Sequence, residues 1–301
     1  MKLKLRKPLE RGAEGFLLFC AASSVLSVLL ITIFIFREGL PLFFQSATDY
    51  PPPTLGEFLF GTVYRPTAEP PLFGILPFIV GSIYVTLGAL IIAVPVGIST
   101  GIFLAEIASG RTAGFLRSVV EILAGIPSVV FGFFGYMMIG FFLKNFPNPI
   151  VDYNIFSASV ILAIMTLPTI VNVTEVSIRA VPHDYREGSL ALGSSHWQTI
   201  WRVLLPASRG GVITGVILGM GRAIGETMAV LMVAGNLPEM PTNGLHSRVR
   251  TLTMAIVNDM GYAADDHRVS LFTIGIVLFF FILILNLTTQ LITSRSAMKA
   301  E

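Results

Sequence analysis

Long apolar runs along this chain alternate with short polar stretches, and the runs are too long for the strands or core helices of a soluble domain. Phe16–Phe36 carries no charge. A helix needs about 20 mostly apolar residues to cross a hydrocarbon layer about 30 Å thick. The same rule predicts spans at Ile122–Leu143, at Tyr153–Thr174 with an extension to Ile178, at Gly210–Gly235 and at Val269–Ser294. The charge-free run Pro70–Ala105 would overshoot the membrane as one straight helix at about 1.5 Å per residue. Its first part therefore reads as a surface lead-in, with the span at Ile79–Ile102. Met1–Leu29 has an apolar region longer than a signal-peptide core and no convincing small-residue cleavage site. It predicts a retained helix, so the chain has six spans.

Composition agrees. The chain has 301 residues, 53% hydrophobic and 13% charged, where a soluble domain carries about 25% charged residues. That balance argues against a soluble enzyme and excludes disorder. One cysteine, Cys20, excludes a disulfide framework and a Cys-based zinc site, and the four histidines show no ligand spacing. A net charge of +2 is too small to point to nucleic acid. A polytopic membrane protein remains.

Orientation follows from Lys and Arg in the loops. One side holds thirteen: Lys2, Lys4, Arg6, Lys7, Arg11, Arg111, Arg117, Arg179, Arg186, Arg202, Arg209, Arg295 and Lys299. The other holds six: Arg37, Arg65, Lys144, Arg248, Arg250 and Arg268. Both termini are expected in the cytoplasm. The two long outer segments, near Arg37–Pro71 and Asn236–His267, read equally well as docking surfaces or as ordinary connections. Glu38–Gln45 is expected to form a short interfacial helix, and Pro51–Pro53 to be extended.

The cytoplasmic loop Val181–Pro206 holds the densest signals. Pro182 suits a first helical turn, Gly193 a C-terminal stop, and Ser195 with Gln198 a capping box. Two short helices bent at Gly193 are expected, exposing Tyr185, Leu190, His196, Trp197 and Trp201. Glu187, five residues, Gly193, nine residues, Val203, one residue and Leu205-Pro206 resemble the EAA loop of ABC-importer permeases. Gly188 and Ser189 stand where that pattern has alanines, and Val203 where it has isoleucine. The resemblance implies that the loop, through Tyr185, Glu187, Gly193, Trp197, Leu205 and Pro206, docks in a groove of an ATPase subunit. An amphipathic loop lying on the lipid surface is the alternative. The chain has no Gly-x-x-x-x-Gly-Lys-[Ser/Thr] loop, so ATP and its Mg would be held by that partner and not by this chain.

The fifth span contains Arg222 and Glu226. A charge at the bilayer centre costs about 2.5–3.5 kcal/mol on insertion scales, and residues four apart share a helical face. The two form either an internal ion pair or an anion site. Phosphate suits the second reading. A guanidinium can donate two parallel hydrogen bonds to its oxygens, and Glu226 can accept from its remaining proton, which sulfate lacks. Thr227 adds a hydroxyl. Gly211, Gly215 and Gly219, every fourth residue, read as a packing stripe, with Gly221 and Gly225 on an adjoining face. Pro127 and Pro168 are expected to kink spans three and four. Ser128 and Thr169 beside them line a path or bond to their own helices. Glu175 and Arg179 read as a structural pair, and Glu121 has no assigned role.

Gly221-Arg-Ala-Ile-Gly-Glu-Thr-Met-Ala-Val230, Gly125-Ile-Pro-Ser-Val-Val-Phe-Gly132 and Thr166-Leu-Pro-Thr169 resemble the PstC family of phosphate ABC-importer permeases, from about Phe73 onward. The resemblance implies an all-α, six-helix type I importer bundle. Residues 1–72 would form the N-terminal segment, first helix and outer loop, and residues 73–301 a five-helix core with the coupling loop at 182–206. It implies a PstA-like second permease, a PstB-like ATPase dimer and a PstS-like phosphate-binding protein as partners. The setting would be a bacterial or archaeal cytoplasmic membrane. A permease for sulfate, molybdate or phosphonate is the nearer rival, and a secondary transporter or channel the farther one.

Overall fold

The computed structural model describes residues 6–44, 50–145 and 152–297. The chain begins with α1 (Arg6–Gly39), which ends in a single 3₁₀ turn at Leu40–Phe43. This turn is what forms of the expected interfacial helix; Gln45, Asp49 and the terminal Lys2, Lys4 and Lys299 lie outside the described residues. On the outer side follow α2 (Leu55–Phe60) and a two-residue hairpin, β1 (Tyr64–Arg65) with β2 (Leu72–Phe73). The membrane helices are α3 (Leu76–Ile102), the bent pair α4 (Gly110–Gly125) and α5 (Ser128–Asn145), and α6 (Ile155–Arg179). The loop between α6 and α9 holds α7 (His183–Ala191) and α8 (His196–Thr199). Then come α9 (Leu205–Gly225), α10 (Met228–Val233), α11 (Leu252–Asp259) and α12 (Asp265–Ala297).

Among the described residues five stretches are long and apolar enough to cross a membrane: 13–43, 76–107, 155–179, 196–225 and 265–288. The α4/α5 pair makes a sixth if its two arms are one span. The expected kink at Pro127 is in fact a break with a 96° bend, so Ile122–Gly125 belongs to α4, across the break from α5. Pro168 does the opposite. It lies inside α6, which continues unbroken to Arg179. Its neighbours Ile170 and Val171 are buried, and packing on both sides holds the helix together.

The bundle is built around α6. Gly88, Gly97 and Gly101 of α3 abut Ser159, Ile170 and Thr174 of α6. Gly211, Gly215 and Gly219 of α9 abut Ser177, Val173 and Ile170 on an adjoining face. A methyl group on Gly219 would sit 2.9 Å from Ile170, and one on Gly97 2.7 Å from it. These stripes let backbones approach where no hydrophobic effect drives helices together. Two thirds of α6's apolar window is buried, and none of α1's. The C-terminal part of α1 is tied down through edge-on rings such as Phe34 on Phe272 and Phe36 on Phe279 of α12.

The outer segments are folded caps. Phe58, Tyr64, Phe73 and Ile75 pack with Phe78, Leu252, Leu271 and Ile274 in one apolar cluster. The region Asn236–His267, which reads equally as a docking surface or an ordinary connection, contains α11, whose Leu252, Met254 and Ala255 are fully enclosed. Asp259, at its end, accepts from Arg250 at 3.0 Å and from the Tyr262 hydroxyl at 2.6 Å. That bond to a carboxylate, helped by burial, holds the Tyr262 phenol above its ordinary pKa. Burial likewise raises Tyr64, whose hydroxyl pairs with Ser270.

Candidate functional site

The fifth span is not one helix. α9 ends at Gly225, Glu226 and Thr227 are non-helical, and α10 restarts at Met228. Glu226 has extended backbone, φ −72° and ψ 131°. The expectation that Arg222 and Glu226 stack on one helical face is therefore corrected: four residues apart means one face only while the helix continues. Among the described residues Arg222 makes no ion pair and no hydrogen bond. It is exposed in the last turn of α9, where a cation is favoured by the negative end of the helix dipole.

A break inside a membrane segment frees backbone groups that need partners. Several find partners, locally or across the fold. The Glu226 N–H donates to the Ala223 carbonyl at 3.3 Å. The Glu226 carboxylate accepts from the Ala229 N–H at 3.3 Å. The Glu226 carbonyl accepts from Thr253 Oγ1 at 3.2 Å. Thr253 belongs to α11, so the returning outer segment completes the break. Thr227 bonds back to the Gly225 carbonyl at 3.3 Å. Gly221 and Gly225, unlike the packed stripe, face open space.

Ser128 opens α5 and Thr169 lies within α6, both half-buried, and neither hydroxyl makes a hydrogen bond among the described residues. Three residues beyond Thr169 is Asn172, exposed in the middle of the apolar α6. The sequence reading passed over it, although an amide inside an apolar span was its visible signal. Glu175 does pair with Arg179, at 2.9 Å, and also with Arg117 of α4 at 2.7 Å, a partner that sequence spacing could not supply.

The cytoplasmic loop has the expected geometry. α7 and α8 are separated by Gly193 at φ +84°, in the left-handed region that glycine enters without cost. Ser195 Oγ accepts from the Gln198 N–H at 3.3 Å, and Gln198 Oε1 accepts from the Ser195 N–H at 2.9 Å. Ser189, Ser194 and Thr199 form a hydroxyl triangle of 2.6–3.0 Å between the two helices. A single π turn, Ile200–Leu204, leads into α9, with Pro206 in the first turn of that helix. Tyr185, Glu187 and Trp197 are exposed. Tyr185, Gly188, Leu192, Gln198 and Val203 line an open groove of about 570 Å³, and Trp197 meets Trp201 edge-on at 5.6 Å.

A helical membrane bundle, a broken fifth span and a cytoplasmic helix pair presenting a groove define an importer-type permease subunit. The description "Binding-protein-dependent transport system inner membrane component" matches residues 97–297. A "Probable ABC transporter permease protein YqgH" of Bacillus subtilis is 38% identical over 277 residues, 89% of this chain and 86% of that one. "Phosphate transport system permease protein PstC 1" of Mycobacterium tuberculosis is 35% identical, covering 83% and 80%. "Phosphate transport system permease protein PstC" of Xylella fastidiosa is 34% identical, covering 74% of each. Among solved structures, the inward-facing MetNI methionine ABC transporter matches with TM-score 0.59 at 17% identity, covering 74% of this chain and 95% of that one. The chain belongs to the binding-protein-dependent family of ABC-importer permeases, and its fold is the type I bundle.

Proposed function

We propose that this chain conducts phosphate as the PstC-like subunit of an ATP-driven importer. The observation that carries the reading is Arg222, a guanidinium with no partner among the described residues, in the last turn of a broken membrane helix. An unpaired charge in an apolar span is expensive and marks an ion path by default. Relatives described as phosphate permeases, which match 83% and 74% of this chain, support the choice of anion. Arg222 would hold two phosphate oxygens. Glu226 spends one contact on the Ala229 N–H and keeps lone pairs for the proton that phosphate carries and sulfate lacks. Thr227, Ser128 and Thr169 would line the same path.

The other half of the path would come from a PstA-like permease facing the open side of α9. A PstS-like binding protein would deliver phosphate to the outer caps. A PstB-like ATPase dimer, holding the ATP and Mg, would receive α7 and α8 at the exposed Tyr185, Glu187 and Trp197, with Gly193, Leu205 and Pro206 setting the loop's shape. This places both termini in the cytoplasm and the chain in the cytoplasmic membrane.

The test is ATP-dependent uptake of labelled phosphate by the co-expressed complex in vesicles, wild type against Arg222→Gln, with sulfate and molybdate as competitors. Uptake that needs ATP, resists both competitors and is lost in the variant with assembly intact is the expected result. An assembled, ATP-hydrolysing complex that moves no phosphate transfers the reading to another oxyanion. Uptake that survives the substitution removes Arg222 from the path.

A further inference from the structure

The adjacent charges of α7 point in different directions. Glu187 is exposed, whereas Arg186 is drawn inward and bonds Glu106 at the C-terminal end of α3. The Glu106 side chain is 2% exposed. Neither residue belongs to the loop spacing that marked this region, and 80 positions separate them in sequence. Glu106 lies in a π turn, Phe103–Ile107, that finishes α3. The same turn receives Arg179 of α6, whose Nη2 donates to the Leu104 carbonyl at 2.7 Å. A helix end has carbonyls without intrahelical partners, and cations are favoured there. The ends of α3 and α6 and the second π turn also share a small apolar cluster of Ile102, Ile178, Ile200 and Leu204, separate from the main core. Ile200 and Leu204 bound the second π turn. π turns inside α-helices recur at functional sites.

We propose that Arg186 and Glu106 are positioning residues that make the cytoplasmic loop and the end of α3 move as one body, so that displacement of the loop is passed to α3. Enclosure supplies the reason. Separating the pair would leave the Glu106 carboxylate buried without its partner, and breaking a buried pair costs far more than breaking an exposed one. The loop cannot be displaced alone; it carries α3 with it. This inference rests on the importer reading for the source of the displacement.

The test uses the assembled permease–ATPase complex in a Cys20→Ala background, with spin labels at Leu190→Cys on α7 and Ile107→Cys at the end of α3. The distance between labels is read in nucleotide-free and ATP-trapped states. With the native pair present, the distance stays the same in both states. With Arg186→Gln it changes between states, and the ATP hydrolysed per phosphate moved rises about tenfold, within the usual range for coupling between sites. The Glu106→Lys/Arg186→Glu exchange restores both readings. An invariant distance together with a wild-type ratio in Arg186→Gln overturns the proposal. A wild-type complex that imports no phosphate overturns the phosphate reading instead, and the distance measurement, which needs only ATP, still decides the link.

Discussion

The loop between α7 and α9 and the break between α9 and α10 are both short interruptions of helix, and they are held in opposite ways. The loop is closed by residues within a few positions of one another: Gly193 at φ +84°, the Ser195–Gln198 box and the Ser189–Ser194–Thr199 triangle. The break is closed partly from a distance, by Thr253, 27 residues away on α11. In water a locally capped loop can stand on its own chemistry. In a membrane an interrupted helix needs a partner for each freed backbone group, and here the fold supplies one. A motif confined to one stretch therefore announces itself, and one completed by tertiary contact does not.

Substitutions can break this contrast or sharpen it. The largest effect is expected from Arg222→Gln, which leaves both sets of closing contacts untouched. Phosphate uptake should fall about a hundredfold, as when a bidentate charge-assisted contact is lost, with thermal unfolding unchanged. Thr253→Val comes next. It strands the Glu226 carbonyl and should cost about 1–3 kcal/mol, seen as a lower unfolding midpoint in detergent together with weakened transport. A neutral result would mean that the break is closed locally after all.

Gly193→Ala forces a side chain into the left-handed region at about 1–2 kcal/mol. ATP-dependent uptake should drop while the membrane bundle, followed by circular dichroism, stays intact. Ser195→Ala removes one arm of the capping box for about 1 kcal/mol, read as a small loss in the same uptake assay. Gly225→Ala should be nearly silent, within about 0.5 kcal/mol. A Cβ there meets no atom within 4 Å, and its φ lies outside the left-handed region. If Gly225→Ala matched Gly193→Ala in effect, the break would depend on a backbone property of its own and the contrast would collapse.

The membrane class, the positions of four of the apolar spans, the packing role of Gly211, Gly215 and Gly219 and the two-helix loop were all legible along the chain. Each depends on the length of an apolar run, on a period of four residues, or on caps reading their near neighbours. Three things were not. Pro127 broke its span while Pro168 was absorbed into α6. The two prolines remove the same hydrogen-bonding group, and their difference lies in what surrounds them. Segment 252–259 became a buried helix because Ser82 of α3 accepts from its first N–H at 3.0 Å and its apolar side chains find α3, α10 and α12. Arg222 and Glu226, four apart, were separated because the helix that would have aligned them ends at Gly225.

Hydrophobicity and local capping are properties of short stretches, so the sequence by itself determined that this is a multi-span membrane protein with a capped two-helix loop. Whether a proline kinks or breaks, which carboxylate meets Arg117 or Arg186, and which cation is left without a partner depend on groups tens of positions away. Only the tertiary structure decided those, because a buried polar group takes its partner from whatever the fold brings within about 3 Å.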